Sequence, residues 1–321
     1  MFQNVYSRVG RVCKNDNGGP RTFRNKWTTF LKSRLNCSLP GDYPFYFDQV
    51  QAMSPVVRAG QDDLVFGIFN TPENSITGSA VCSFRMKDIE DSFDGAFKGQ
   101  HDTNSNWLPL AKHDLPAKRP GTCINDSKTL DDEHLNFLKE NTLMDQAVTS
   151  AINQPHFIKT SPHERLTSLA VDPAVPTASG EKVDVLFVGT TRGRILKLAL
   201  QRPGPHTGPH RHNTVLIEQL QVFPLHVAVS HIQVVATEGG PRVVAVSDHE
   251  VKSLPVSRCG RAALQSCGAC VGLQDPYCAW NIQQQQCGAH AGSSQDSSEL
   301  LQNMDRGVHT GCGPATLYQG K

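Results

Sequence analysis

The sequence predicts an all-β fold in two parts: a run of propeller-type blades followed by a small domain held together by disulfides. Two observations carry this. β-rich runs separated by Gly, Pro and Asp turns recur in groups of up to four along most of the 321 residues, a grouping typical of propeller blades rather than of a sandwich. Six of the ten cysteines then fall between Cys259 and Cys312. That segment is too short to bury a large apolar core, so its cysteines are most simply a disulfide framework replacing one, which implies an oxidising compartment.

Taken in order, the first β-rich runs lie at residues 5–12, 27–35, 45–52, 64–70 and 80–86. Residues 87 to about 154 break the rhythm. Helical patterns at 87–93 and 135–144 flank a loop rich in Pro, Lys and Asp, and the whole reads as an insertion running over the blade surface. A strand at 166–171 is ended by Asp172-Pro173. The runs 183–190 and 194–200 form a hairpin through Thr191-Arg192-Gly193, where glycine takes positive φ at little cost, and 214–222 supplies a fourth strand. A weaker group at 229–237, 242–247 and 250–256, with turns at Gly239-Gly240 and Asp248, contains three strands. The expected domains are blades over 1–257 with the insertion at about 87–154, a cysteine-rich domain at 258–313, and a polar tail at 314–321.

Charged residues make up 19% of the chain and the net charge is +1. No apolar run approaches the ~18 residues of a membrane span. The first eight residues lack the basic and apolar regions of a signal peptide, so sequence upstream, and any membrane anchor downstream, is expected to be missing. The near-zero net charge hides an asymmetry. Arg8, Arg11, Lys14, Arg21, Arg24, Lys26, Lys32 and Arg34 face a single acidic residue, Asp16, in the first 35 positions. A solvated surface with no ligand is the simplest reading of this bias, and a basic face also suits sulphated glycans or an acidic protein partner; the extracellular context disfavours nucleic acid.

No catalytic constellation is legible. There is no Gly-x-Ser-x-Gly, phosphate-cradling loop or dinucleotide fingerprint. His163-Glu164 and His249-Glu250 begin like zinc-protease motifs, but Thr167 and Ser253 stand where the second His is needed. Cys267-Gly-Ala-Cys270 has zinc-knuckle spacing without the second close pair, because Cys278 and Cys287 lie too far apart. His206, His210 and His212 sit in a Gly/Pro loop that has no preformed ligand geometry. The expectation is therefore no enzyme, no metal and no cofactor.

The segment Cys267-x-x-Cys-Val-x-Leu-Gln-Asp-Pro-Tyr-Cys-Ala-Trp280 resembles the PSI domain of plexins, semaphorins and integrins. Upstream, Tyr6-Ser-Arg-Val-Gly-Arg-Val-Cys-Lys-Asn-Asp16, Trp27-Thr-Thr-Phe-Leu-Lys-Ser-Arg-Leu-Asn-Cys-Ser38, Ser79-Ala-Val-Cys-Ser-Phe84, Arg119-Pro-Gly-Thr-Cys-Ile-Asn-Asp126 and Thr142-Leu-Met-Asp145 resemble motifs of the sema domain. The likeness is nearest to the invertebrate class 1 semaphorins, membrane-anchored guidance cues. It implies a seven-bladed propeller of which this chain carries the C-terminal blades, from within the fourth. Six cysteines permit fifteen pairings; the resemblance implies Cys259–Cys278, Cys267–Cys312 and Cys270–Cys287, with Cys37–Cys82 and Cys13–Cys123 upstream.

The sequons at Asn36 and Asn125 fit a secreted glycoprotein. The resemblance further implies an extracellular, secreted or cell-surface guidance ligand that binds a plexin-type receptor as a homodimer, directing axon growth and cell migration by repulsion. Lys32, Arg34, Asp42 and Tyr43 are the candidate receptor contacts, around the turn Leu39-Pro-Gly-Asp-Tyr43. The alternatives are an ectodomain fragment of a receptor that joins a propeller to a PSI domain, or a truncated semaphorin without activity. A ring left unclosed exposes strand edges, so misfolding or self-association of the isolated chain is expected.

Overall fold

The computed structural model describes residues 5–102, 104–201, 213–290 and 299–313. The chain is all-β in class, with short helices at Met86–Ser92, Asp132–Glu140 and Cys267–Gly272. It divides into two compact units, Met1–Gln49 with Phe84–Gln154, and Val50–Ser83 with Pro155–Lys321.

The first unit is built on a six-stranded sheet. Arg8–Arg11 pairs antiparallel with Leu31–Asn36, which pairs in parallel with Leu143–Met144 and with Val148–Thr149; Phe97–Gly99 and Leu108–Pro109 complete it. Residues 87–154 are thus more than a surface insertion: four of their short strands belong to this sheet. The expected strand at 27–35 begins only at Leu31, because Thr28 and Thr29 turn both their backbone N–H groups and their hydroxyls onto the buried Asp16 carboxylate. Burial alone would raise that carboxyl, but the hydrogen bonds from Thr29, Gly18 and Thr28 outweigh it and hold the group below its ordinary value. Gly18 closes this loop at φ +80°, where a Cβ would stand 2.3 Å from the Arg24 carbonyl oxygen.

Two further expectations change in this unit. The run expected at 5–12 shrinks to Arg8–Arg11, since Ser7 bonds Asp48 and Leu35 through its backbone. The helix expected at 135–144 is capped by the Asp131 side chain, runs over Asp132–Glu140, and stops where Asn141 leaves helical φ/ψ and donates its side-chain amide to the Phe137 carbonyl. A Cys13–Cys123 disulfide joins residues 110 apart in sequence.

In the next sheet, built mostly from the second unit, Gln49–Met53, Asp62–Asn70, Gly78–Arg85 and Phe157–Thr160 lie side by side, Phe157–Thr160 running antiparallel to Gly78–Arg85 and Val57–Ala59 antiparallel to Asp62–Asn70. The run expected at 45–52 divides: Phe45–Tyr46 pairs with Ser38–Leu39 in the first unit, while Gln49–Met53 joins this sheet. The next sheet is four-stranded, Leu166–Pro176, Lys182–Thr190, Arg194–Gln201 and Asn213–Gln221. Its first strand runs past Asp172-Pro173 through a bulge, in which the Ala174 N–H is satisfied by the Asp184 carboxylate. Gly193, at φ +68°, makes the central hairpin; a Cβ there would lie 2.5 Å from the Phe223 carbonyl oxygen. His231–Val235, Arg242–Val246 and Val251–Pro255 form the three-stranded sheet.

Alternating apolar residues of these sheets build the core. Phe66, Ile68, Leu166, Leu186, Leu196 and Leu198 form one cluster, and Val185, Phe187, Ile195, Phe223, Ile232 and Val243 another. The second cluster includes Tyr277 of the cysteine-rich domain. Beside it Lys197, reaching from the four-stranded sheet, pairs with Asp275 at 2.5 Å, the two side chains being 4% and 2% exposed. The Tyr277 hydroxyl donates to Asp172 at 2.5 Å. Burial lowers the Lys197 ammonium, partly offset by Asp275, and burial with the Asp172 charge raises the Tyr277 phenol. Arg258 and Arg261 both pair with Glu218. The cysteine-rich domain is therefore docked through side chains committed to the blade, and bridges Cys259–Cys278, Cys267–Cys312 and Cys270–Cys287 hold it around Trp280.

Candidate functional site

In the first unit, the outward face of the six-stranded sheet carries a groove of about 470 Å³ lined by Tyr6, Arg8, Lys32, Arg34, Lys98, Trp107, Leu143, Met144, Asp145 and Ala147. The alternation of Leu31–Asn36 produces it: Leu31, Ser33 and Leu35 turn inward, so Lys32 and Arg34 turn out. Arg34 is held in place, paired with Asp48 at 2.7 Å and set over the rings of Tyr6 and Tyr46 at 4.4 and 4.8 Å. Lys98 pairs with Asp145 at 3.1 Å. Among the described residues neither Arg8 nor Lys32 forms an ion pair; Arg8 lies 5.9 Å over Tyr6.

The other two receptor candidates stand on the hairpin between Ser38–Leu39 and Phe45–Tyr46. Asp42 is exposed, and Tyr43 is 96% exposed, so its ring packs against nothing in the fold. Leu39, Phe45 and Tyr46 are partly exposed on the same hairpin. Arg34, touching Tyr46, connects hairpin and groove. The four candidates are thus two groove residues and two turn residues. Tyr6, Lys98 and Trp107 were not legible as members of the site. A lone Trp in the polar stretch before Pro109 was the available signal, and Trp107 is 47% exposed.

The remaining candidates fall elsewhere. Asn125 is exposed, whereas Asn36 is half-buried on its strand with its side-chain oxygen enclosed. Glu164 is buried and paired with Lys159 and Arg194; burial would raise its carboxyl, but the Lys159 hydrogen bond and the neighbouring cations bring it below the ordinary value. His206, His210 and His212 lie outside the described residues. Cys37 and Cys82 are each disulfide-bonded.

A Sema domain model matches residues 48–236, and a plexin repeat (PSI) model matches 258–312. The chain belongs to the semaphorin family. It is 46% identical to Semaphorin-1A of Schistocerca americana over 96% of its own length and 43% of the relative's, so it spans less than half of that protein. The extracellular domains 1-2 of Drosophila Semaphorin 1a superimpose with a TM-score of 0.86 at 43% identity, covering 96% of this chain and 61% of that one. A complex of Drosophila Plexin A with Semaphorin 1b matches with a TM-score of 0.84 at 41% identity, covering 94% of this chain and 59% of that one. The chain is accordingly a sema-type propeller segment with a PSI domain.

Proposed function

We propose that this semaphorin chain is part of an extracellular guidance ligand that binds a plexin-type receptor, acting by association without a covalent step. The observation that carries this is the match to a semaphorin solved with Plexin A. The site's chemistry supports it. Tyr and Arg are the side chains on which interfaces concentrate binding energy, and here an uncovered Tyr43 stands on the same hairpin as the Tyr46 that stacks on a preorganised Arg34. Asp42 and Lys32 supply rim charges that set orientation and association rate.

In this proposal the productive ligand is a homodimer, secreted or held at the cell surface, and bivalency raises its avidity for paired receptors. The outcome for the receptor-bearing cell is repulsion. A collapse assay on plexin-expressing neurons tests this: growth cones retract on exposure to the dimerised ligand, and indifference or attraction contradicts it. Cys37–Cys82 remains part of the proposal as the fifth bridge. Asn125 is the favoured glycan attachment, checked by a glycosidase-sensitive mobility shift that disappears in Asn125→Gln. The cationic bias of the first 35 residues supports a sulphated glycan as a further partner.

A further inference from the structure

The strand register arranges the groove's cations in a row. Arg8 lies directly opposite Arg34 across the first strand pair, and Lys32 is opposite Gly10, diagonal to Arg8. Leu143 in turn is paired with Lys32 on one side and with Lys98 on the other. The four cations therefore lie on three strands, with the Leu143–Met144 strand between Lys32 and Lys98, and the row extends over three interstrand spacings or roughly 14 Å. Like charges directly opposite each other destabilise a strand pair, and Asp48 compensates only Arg34. Asp145 compensates Lys98. Arg8 and Lys32 are left without an acidic partner among the described residues, inside a concavity whose walls focus their field.

We infer that this groove binds a sulphated glycan chain, with Arg8, Lys32 and Lys98 contacting successive anionic groups and Trp107 offering its ring to a sugar face. The inference rests on the extracellular, glycan-binding reading above and gives that partner a site. A row selects for a polyanion: a single small anion would meet one or two of these cations, whereas a polymer with charge repeated along its length meets them all. The disulfide framework places the chain where sulphated glycans are the abundant polyanions, and nucleic acids are not. The cavity volume falls within the ~300–1,000 Å³ of small-ligand clefts, and Trp107 and Tyr6 give the lining aromatic area that salt bridges alone do not need.

The test is binding of heparin oligosaccharides, native and desulphated, to the chain at about 0.15 M salt, alongside charge reversals inside and outside the groove. Arg8→Glu and Lys98→Glu weaken native heparin binding by roughly tenfold each, and Trp107→Ala weakens it by roughly threefold. Arg24→Glu and Lys26→Glu, equal charge changes on the same basic segment outside the groove, cost less than about twofold. Circular-dichroism melts check that each variant is folded. Equal losses from the outside variants, or equal binding of desulphated heparin, overturn the inference. Plexin-ectodomain binding by Tyr43→Ala, measured without glycan, separates the readings: its failure to fall counts against the receptor proposal alone, and heparin behaviour decides the groove.

Discussion

His134 has both ring nitrogens buried without a hydrogen-bond partner, on a helix whose first turn is capped by Asp131. Burial lowers its imidazole below the ordinary 6.5, with Asp131 opposing the shift and Lys118 adding to it. Below about 6.5 the unfolded chain takes up a proton that the folded chain refuses. The stability contributed by the neutral ring is therefore complete above that pH and is lost as pH falls toward the lowered folded value. Melting temperature is expected to drop between pH 7.5 and 5.5, and His134→Leu to flatten part of that slope; His290, also lowered by burial, retains the rest. An unchanged slope in His134→Leu counts against this. Such a residue is illegible in sequence, because nothing in Asp131-Asp-Glu-His-Leu135 distinguishes a buried ring from a surface one. Lys32 and Arg34 were legible through resemblance, whereas Lys98 reaches the groove through its pairing with Leu143, 45 residues away in sequence, and Trp107 through the neighbouring Leu108–Pro109 strand that pairs beside Lys98.

Element-scale expectations held where a strand was long enough to show a pattern. The hairpin of Lys182–Thr190 and Arg194–Gln201 reads directly from its β-branched and apolar runs and from Gly193. Two-residue strands such as Leu143–Met144 have no period to read, so residues 87–154 read as a partly helical insertion, and the four short strands they add to the sheet are missed. The Cys13–Cys123 bridge closes that long connection within one unit, and Cys13→Ser/Cys123→Ser is expected to lower unfolding free energy by ~3–5 kcal/mol in a denaturant titration; a loss under about 1 kcal/mol would show the sheet alone holds the segment. The docking of the cysteine-rich domain makes a sharper prediction. Lys197→Met leaves Asp275 charged and buried and costs ~3–5 kcal/mol. Lys197→Met with Asp275→Asn removes both charges and costs less than the single change. Additive losses in the double-mutant cycle would contradict a direct pair.

Across the whole chain, the densest sequence signal and the best candidate site are different places. The cysteines from Cys259 to Cys312 identify the family, and their domain carries Tyr277 and Asp275 inward to a blade rather than outward to a partner. The exposed Tyr43 and the cationic groove lie in the other unit, in residues that read as an ordinary Pro-Gly turn and a charged strand. The central claim is that the turn carrying Asp42 and Tyr43, with Lys32 and Arg34 on the neighbouring strand, reads a plexin. Surface plasmon resonance of the chain over an immobilised plexin ectodomain tests it most directly, with Tyr43→Ala and Lys32→Glu beside the parent. The account predicts saturable binding that falls roughly tenfold or more in Tyr43→Ala while the melting curve stays unchanged. No binding by the parent, or equal binding by parent and both folded variants, would contradict it.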